Sequence, residues 1–150
     1  MVLSIGKDIF FLFVSFLAGV SMAAQGTLNA AVSKAIGLSE STFVVHLTAT
    51  MTMIIILVMG FGRGNWANYV SIPWYYYAGG IIGVAITYGV VVGIAKLGAA
   101  VATTSIIVGQ VLTACLLDHF GIFGLDKQPM TWWKLIGIGF LALGAKLLLG

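Results

Sequence analysis

Ser21, Gln25 and Asn29 recur at intervals of four in an otherwise apolar run, so three hydrogen-bonding side chains share one helical face. Thr42, His46 and Thr50 repeat that interval in the next apolar run, and Thr87 with Tyr88, then Thr103, Thr104, Ser105 and Gln110, follow in two more. Amides and hydroxyls both donate and accept, so this set can orient a polar solute without charge. His46 is the one group well inside an apolar run that can change charge near neutral pH, which makes it a candidate proton carrier beside its plainer reading as a structural histidine. The rest of enzyme chemistry is missing. No phosphate-binding Gly-x-x-x-x-Gly-Lys-Ser/Thr loop, His-Glu-x-x-His or nucleophile elbow occurs. The single cysteine, Cys115, excludes an intramolecular disulfide and a thiolate metal cluster. The expectation is a protein that is not an enzyme and has no cofactor or metal site.

The elements that carry these residues follow from composition. Of 150 residues, 61% are hydrophobic and 7% charged, where a soluble domain has about a quarter charged. The chain therefore belongs in a bilayer, which requires ~20 apolar residues per helical span. Five spans use about 100 of the 150 residues and leave no second domain. The apolar runs are unbroken and lack the ten-residue alternation of a barrel, so the class is all-α integral membrane.

The spacing predicts one membrane domain over residues 1–150 with spans at about 9–32, 41–60, 74–95, 99–119 and 130–149. Ser21-Met22-Ala23 has the look of a cleavage site, yet the apolar stretch continues well past it, so an uncleaved span is expected. Ser39 and Ser41 are expected to cap the second helix. Gly60 to Asn65 break it, Pro73 opens the third, Gly98 makes a tight turn between antiparallel third and fourth helices, and Pro129 opens the fifth. Gly79-x-x-x-Gly83, Gly89-x-x-x-Gly93 and Ser105-x-x-x-Gly109-x-x-x-Thr113 present small faces for close helix packing.

Five crossings put Lys7, Arg63, Lys127 and Lys134 on the face of the amino terminus, and Lys34, Lys96 and Lys146 on the other. That near balance permits insertion in both orientations. The scattered net charge of +3 gives no support for a nucleic-acid partner. Trp66, Trp74, Trp132 and Trp133 gather at the amino-terminal face, where interfacial anchoring explains them. Gln25, Asn29, Thr42, His46, Thr87, Tyr88, Thr103, Thr104 and Ser105 fall in the opposite half of the bilayer, with Gln110 near the midplane. Two readings follow: a polar cavity open to that face, or hydrogen bonding between and within helices.

Gln25-x-x-x-Asn29 closing helix one, Leu117-Asp118-His119-Phe120-Gly121 closing helix four, and Gly137-x-Gly139-x-x-x-x-Gly144 in helix five together resemble the drug/metabolite transporter superfamily. The similarity is to its short five-helix branch of bacterial inner-membrane proteins, the YdcZ-like group. It implies a multi-pass inner-membrane secondary transporter, an exporter of a small organic solute by alternating access. In the larger relatives, two five-helix halves are inverted about a central site. The resemblance thus implies that one five-helix chain completes its site as an inverted (antiparallel) homodimer, or as a heterodimer with a homologous five-helix protein. Residues expected to contact the solute are Gln25, Asn29, His46, Tyr88, Ser105 and Gln110. The related four-helix small multidrug resistance proteins carry a glutamate in helix one; here that helix has only amides and hydroxyls, which weighs against a polyaromatic-cation substrate. The rival readings are a non-transporting membrane subunit or scaffold of a larger complex, and a dual-orientation ion channel.

Overall fold

A computed structural model describes residues 5–149, with side chains from 9 to 148. Every regular element among the described residues is helical. α1 spans Ile5–Ile36, α2 Leu38–Val58, α3 Gly79–Leu97, α4 Ala99–Phe120 and α5 Trp132–Leu149. Short 3₁₀ segments occupy Trp66–Ser71, Trp74–Ala78 and Ile122–Gly124.

Four stretches among the described residues are long and apolar enough to cross a bilayer: Ile9–Ile36, Leu38–Val58, Trp74–Leu97 and Ala99–Phe120. The first has 28 residues, about 42 Å at ~1.5 Å each, so it must tilt or project beyond a ~30 Å hydrocarbon layer. α5 has 18 residues, about 27 Å, and falls just short of that thickness. The phenylalanines Phe10, Phe11, Phe13 and Phe16 of α1 are all exposed. Such a surface would aggregate in water and suits lipid contact.

By packing, the described residues fall into two compact units, one up to Val92 and one from Gly93. In the first, α1 packs on α2; in the second, α4 packs on α5. The α1–α2 turn is a single residue. Gly37 adopts φ 102° and ψ 159°, its N–H donates to Ser33 O at 3.0 Å, and its own carbonyl accepts from Ser41 N at 3.0 Å. The α3–α4 turn repeats the device. Gly98 has φ 82° and ψ 162°, with Gly98 N to Ile94 O at 3.0 Å and Ala102 N to Gly98 O at 3.2 Å. Burial repeats with it: Ala30 and Val91 lie seven residues before each glycine, Ser41 and Ala102 four after, and all four are buried. Gly93 supports the second turn by close approach, since a methyl there would meet Ala102 Cβ at 3.4 Å.

Several boundaries differ from expectation. α1 runs through Lys34 to Ile36 and α2 starts at Leu38, so neither Ser39 nor Ser41 caps it. Gly37 stands at the cap position; Ser41 Oγ donates back to Leu38 O at 3.0 Å, and Ser39 points to another helix. The third span opens after Pro73 as a 3₁₀ turn, with α geometry only from Gly79. α5 opens at Trp132, not next to Pro129. Thr131 is its true cap, its Oγ1 accepting from Lys134 N at 3.3 Å while its carbonyl takes Leu135 N at 3.1 Å.

Candidate functional site

Two pairs of polar residues of the first unit join α2 to α3. His46 Nε2 lies 3.2 Å from Thr87 Oγ1, and Thr87 Oγ1 donates to Gly83 O at 3.0 Å. Because threonine has one hydroxyl hydrogen and Gly83 O takes it, the histidine proton sits on Nε2 and Nδ1 keeps a free lone pair. Gly83 lies beside the ring, where a methyl would make ordinary contact with His46 Cε1 at 3.7 Å. One turn pair away, Ser39 Oγ bonds to Tyr88 OH. Ser39 and His46 are seven residues, about 10 Å, apart on one face of α2. Adjacent residues of α3 reach both because the Tyr88 ring is long. His46, Thr87 and Tyr88 are all half-buried.

Asn29 occupies a different setting. It is buried at 9% exposure on the α1 side of the first hairpin, where Gly26, Ala30, Ser41 and Thr42 are the other buried residues of α1 and α2 among those described. Ser41 and Thr42 both give their hydroxyls to Leu38 O, at 3.0 and 2.8 Å. The Asn29 amide has no hydrogen-bond partner among the described residues. A buried polar group without a partner is expensive, by roughly 1–3 kcal/mol.

Gln25, four residues earlier, is exposed, as are Ser105 and Gln110 in the second unit; none of the three has a side-chain hydrogen bond among the described residues. Four of the six expected contact residues, Gln25, Asn29, His46 and Tyr88, thus belong to the first unit, and two to the second. Several hydroxyls of the apolar runs donate to a carbonyl of their own helix. Ser21 bonds Leu17 O, Thr42 bonds Leu38 O, Thr50 bonds His46 O and Thr104 bonds Ala100 O, all at 2.8–2.9 Å. Ser39, read only as a cap, is the partner of Tyr88 that the sequence did not reveal.

In the second unit, the loop before α5 is tied to the end of α4. His119 Nδ1 accepts from Met130 N at 3.0 Å, and Asp118 O accepts from Gln128 N at 2.8 Å. Both are structural contacts at a helix end. No group of three metal-ligating side chains occurs among the described residues.

The arrangement is an uncharged, hydrogen-bonding set on apolar helices. The family described as "Putative inner membrane exporter, YdcZ" matches residues 10–147. The chain belongs to this family. As a YdcZ-family chain with several apolar helices of spanning length, it is a multi-pass inner-membrane protein and a membrane transporter. No curated protein and no solved structure matches it.

Proposed function

We propose that this YdcZ-family protein is a secondary-active exporter that carries a small, hydrogen-bonding organic solute by alternating access. The observation that carries the reading is Asn29: an amide buried at 9% exposure, with no partner among the described residues, on a helix of spanning length. In hydrocarbon such a group is retained where something binds it. A solute amide, hydroxyl or carboxyl oxygen would pair with it, and His46 Nδ1 offers a second acceptor from the same unit.

α5 makes a fifth crossing in this reading, its deficit in length offset by Lys134 and Lys146 snorkelling from either end. An odd number of crossings lets two copies stand inverted to one another. Gln25, Ser105 and Gln110, exposed in one chain, would then find their place in a site completed by a second copy or by a homologous five-helix partner.

The test is solute counterflow in liposomes holding only this protein. Saturable counterflow supports the carrier, unsaturated electrogenic current indicates a channel, and no flux with the chain correctly inserted indicates a scaffold. Accessibility tags at both termini decide the assembly. Copies found with the amino terminus on both faces support the inverted homodimer, and a single orientation removes it.

A further inference from the structure

Between the end of α2 and the start of the third span, the chain builds a small open pocket of about 250 Å³ lined by Gly64, Asn65, Trp66, Asn68, Tyr69, Ile72 and Tyr77. Its walls are fixed. Asn65 caps the 3₁₀ segment Trp66–Ser71 by accepting from Ala67 N at 3.0 Å. Tyr77 OH donates to Tyr69 O at 2.7 Å, and the two rings lie 4.7 Å apart at 37°. Trp66 stands exposed on the same rim. The pocket is smaller than the ~300–1,000 Å³ of drug-sized sites, so it fits a headgroup rather than a whole ligand.

Its place in the chain and its charge restrict the occupant. The pocket lies between the ends of two spanning stretches, Leu38–Val58 and Trp74–Leu97, and therefore at the boundary of water and lipid, where Trp and Tyr settle. Three aromatic rings and two asparagine side chains suit a cation through ring faces and amide oxygens. None of the residues lining the pocket is acidic, so the pocket itself offers a free amine no counter-charge. Arg63 adjoins the pocket residue Gly64 and would repel it. The chain reaches Arg63 through Gly62, held so close to α2 that a methyl there would sit 2.7 Å from Leu57 Cδ2. An anion beside Arg63 and an ammonium among the rings answer both features at once.

We propose that this pocket holds the headgroup of a zwitterionic phospholipid, its ammonium against Trp66, Tyr69 and Tyr77 and its phosphate at Arg63. The site is separate from the α2–α3 seam and stands whether or not the solute assignment does. It fixes the level of the loop in the interface and makes the protein sensitive to headgroup composition.

The experiment uses the full chain in detergent micelles, with Trp74→Phe, Trp132→Phe and Trp133→Phe leaving Trp66 as the only indole. Its emission is followed on adding dihexanoyl phosphatidylethanolamine, dihexanoyl phosphatidylglycerol or free ethanolamine. Saturable binding of the ethanolamine lipid about fivefold or more tighter than the glycerol lipid is expected, matching one moderately exposed cation–π site. Arg63→Gln should weaken the ethanolamine lipid and Tyr69→Leu should remove the preference. Equal affinity for both lipids would reduce the pocket to unspecific amphiphile contact and overturn the proposal. Saturation by free ethanolamine at the lipid's concentrations, unweakened by Arg63→Gln, would overturn it in favour of a soluble amine. If the triple variant does not fold, native mass spectrometry of the unmodified chain from mixed vesicles replaces it: selective retention of the ethanolamine lipid supports the site, and unselective retention refutes it.

Discussion

His46 and Thr87 are joined by a 3.2 Å hydrogen bond in which threonine is the acceptor, because its own hydroxyl proton is committed to Gly83 O. The histidine tautomer follows from a bond that His46 does not itself make. Thr87→Val keeps the shape of the side chain and removes the acceptor. It should lower stability by about 0.5–1.5 kcal/mol, the range of hydrogen bonds between membrane helices. Thermal unfolding in detergent, run beside Thr50→Val, checks this; Thr50 bonds only its own helix and should cost less.

His46→Gln can place an amide nitrogen where Nε2 stands, so it should keep the tie to Thr87 and the stability that goes with it. His46→Asn, too short for that position, should lose both. Melting temperature in detergent, read beside counterflow, separates the two variants.

Ser39, expected to cap α2, caps nothing, while Thr131 caps α5. Thr131→Ala removes a helix cap and should destabilise α5 by about 1 kcal/mol. Ser39→Ala removes no cap, and its effect should vanish in a Tyr88→Phe background, because the two hydroxyls bond to one another. A double-mutant cycle on melting temperature measures the coupling.

What the sequence disclosed and withheld divides along the same line. Residues 41–60 and 99–119 closely anticipate Leu38–Val58 and Ala99–Phe120, because a long uncharged run in hydrocarbon has no option but to close its own backbone bonds. Polar residues near a turn misled. Lys34, Ser39 and Glu40 look like a loop, yet Gly37 alone turns the chain and the helices continue to either side. Hydroxyl spacing was equally blind, since Thr42 and Thr50 at helical intervals read the same whether they face a cavity or their own carbonyls. The Trp66–Tyr77 pocket was legible only as interfacial aromatics; ring pairing needs coordinates.

Gly37 and Gly98 occupy backbone conformations, φ 102°, ψ 159° and φ 82°, ψ 162°, that are essentially confined to glycine. Alanine at either should cost roughly 1–3 kcal/mol, and asparagine should not rescue it, because the left-handed helical region that asparagine tolerates lies elsewhere. Around Gly98 there is open space, so its penalty is purely conformational. At Gly37 a methyl would also meet Glu40 Oε2 at 2.3 Å, but that is the end of a flexible side chain and can move. The two alanine variants should therefore lose similar stability, and Glu40→Ala should recover little at Gly37. A large recovery would mean that the carboxylate, not the turn, sets the cost.

Asn29 offers the sharpest separation of folding from function. Its amide is buried and unpaired among the described residues, so an apolar side chain of like volume removes a desolvation penalty without breaking a bond. Asn29→Leu should raise the melting temperature or leave it unchanged while abolishing counterflow. That combination marks a residue kept for its ligand at the expense of stability. If Asn29→Leu instead destabilised the protein and spared transport, the amide would be bonded within the assembled protein and the solute contact would have to lie elsewhere.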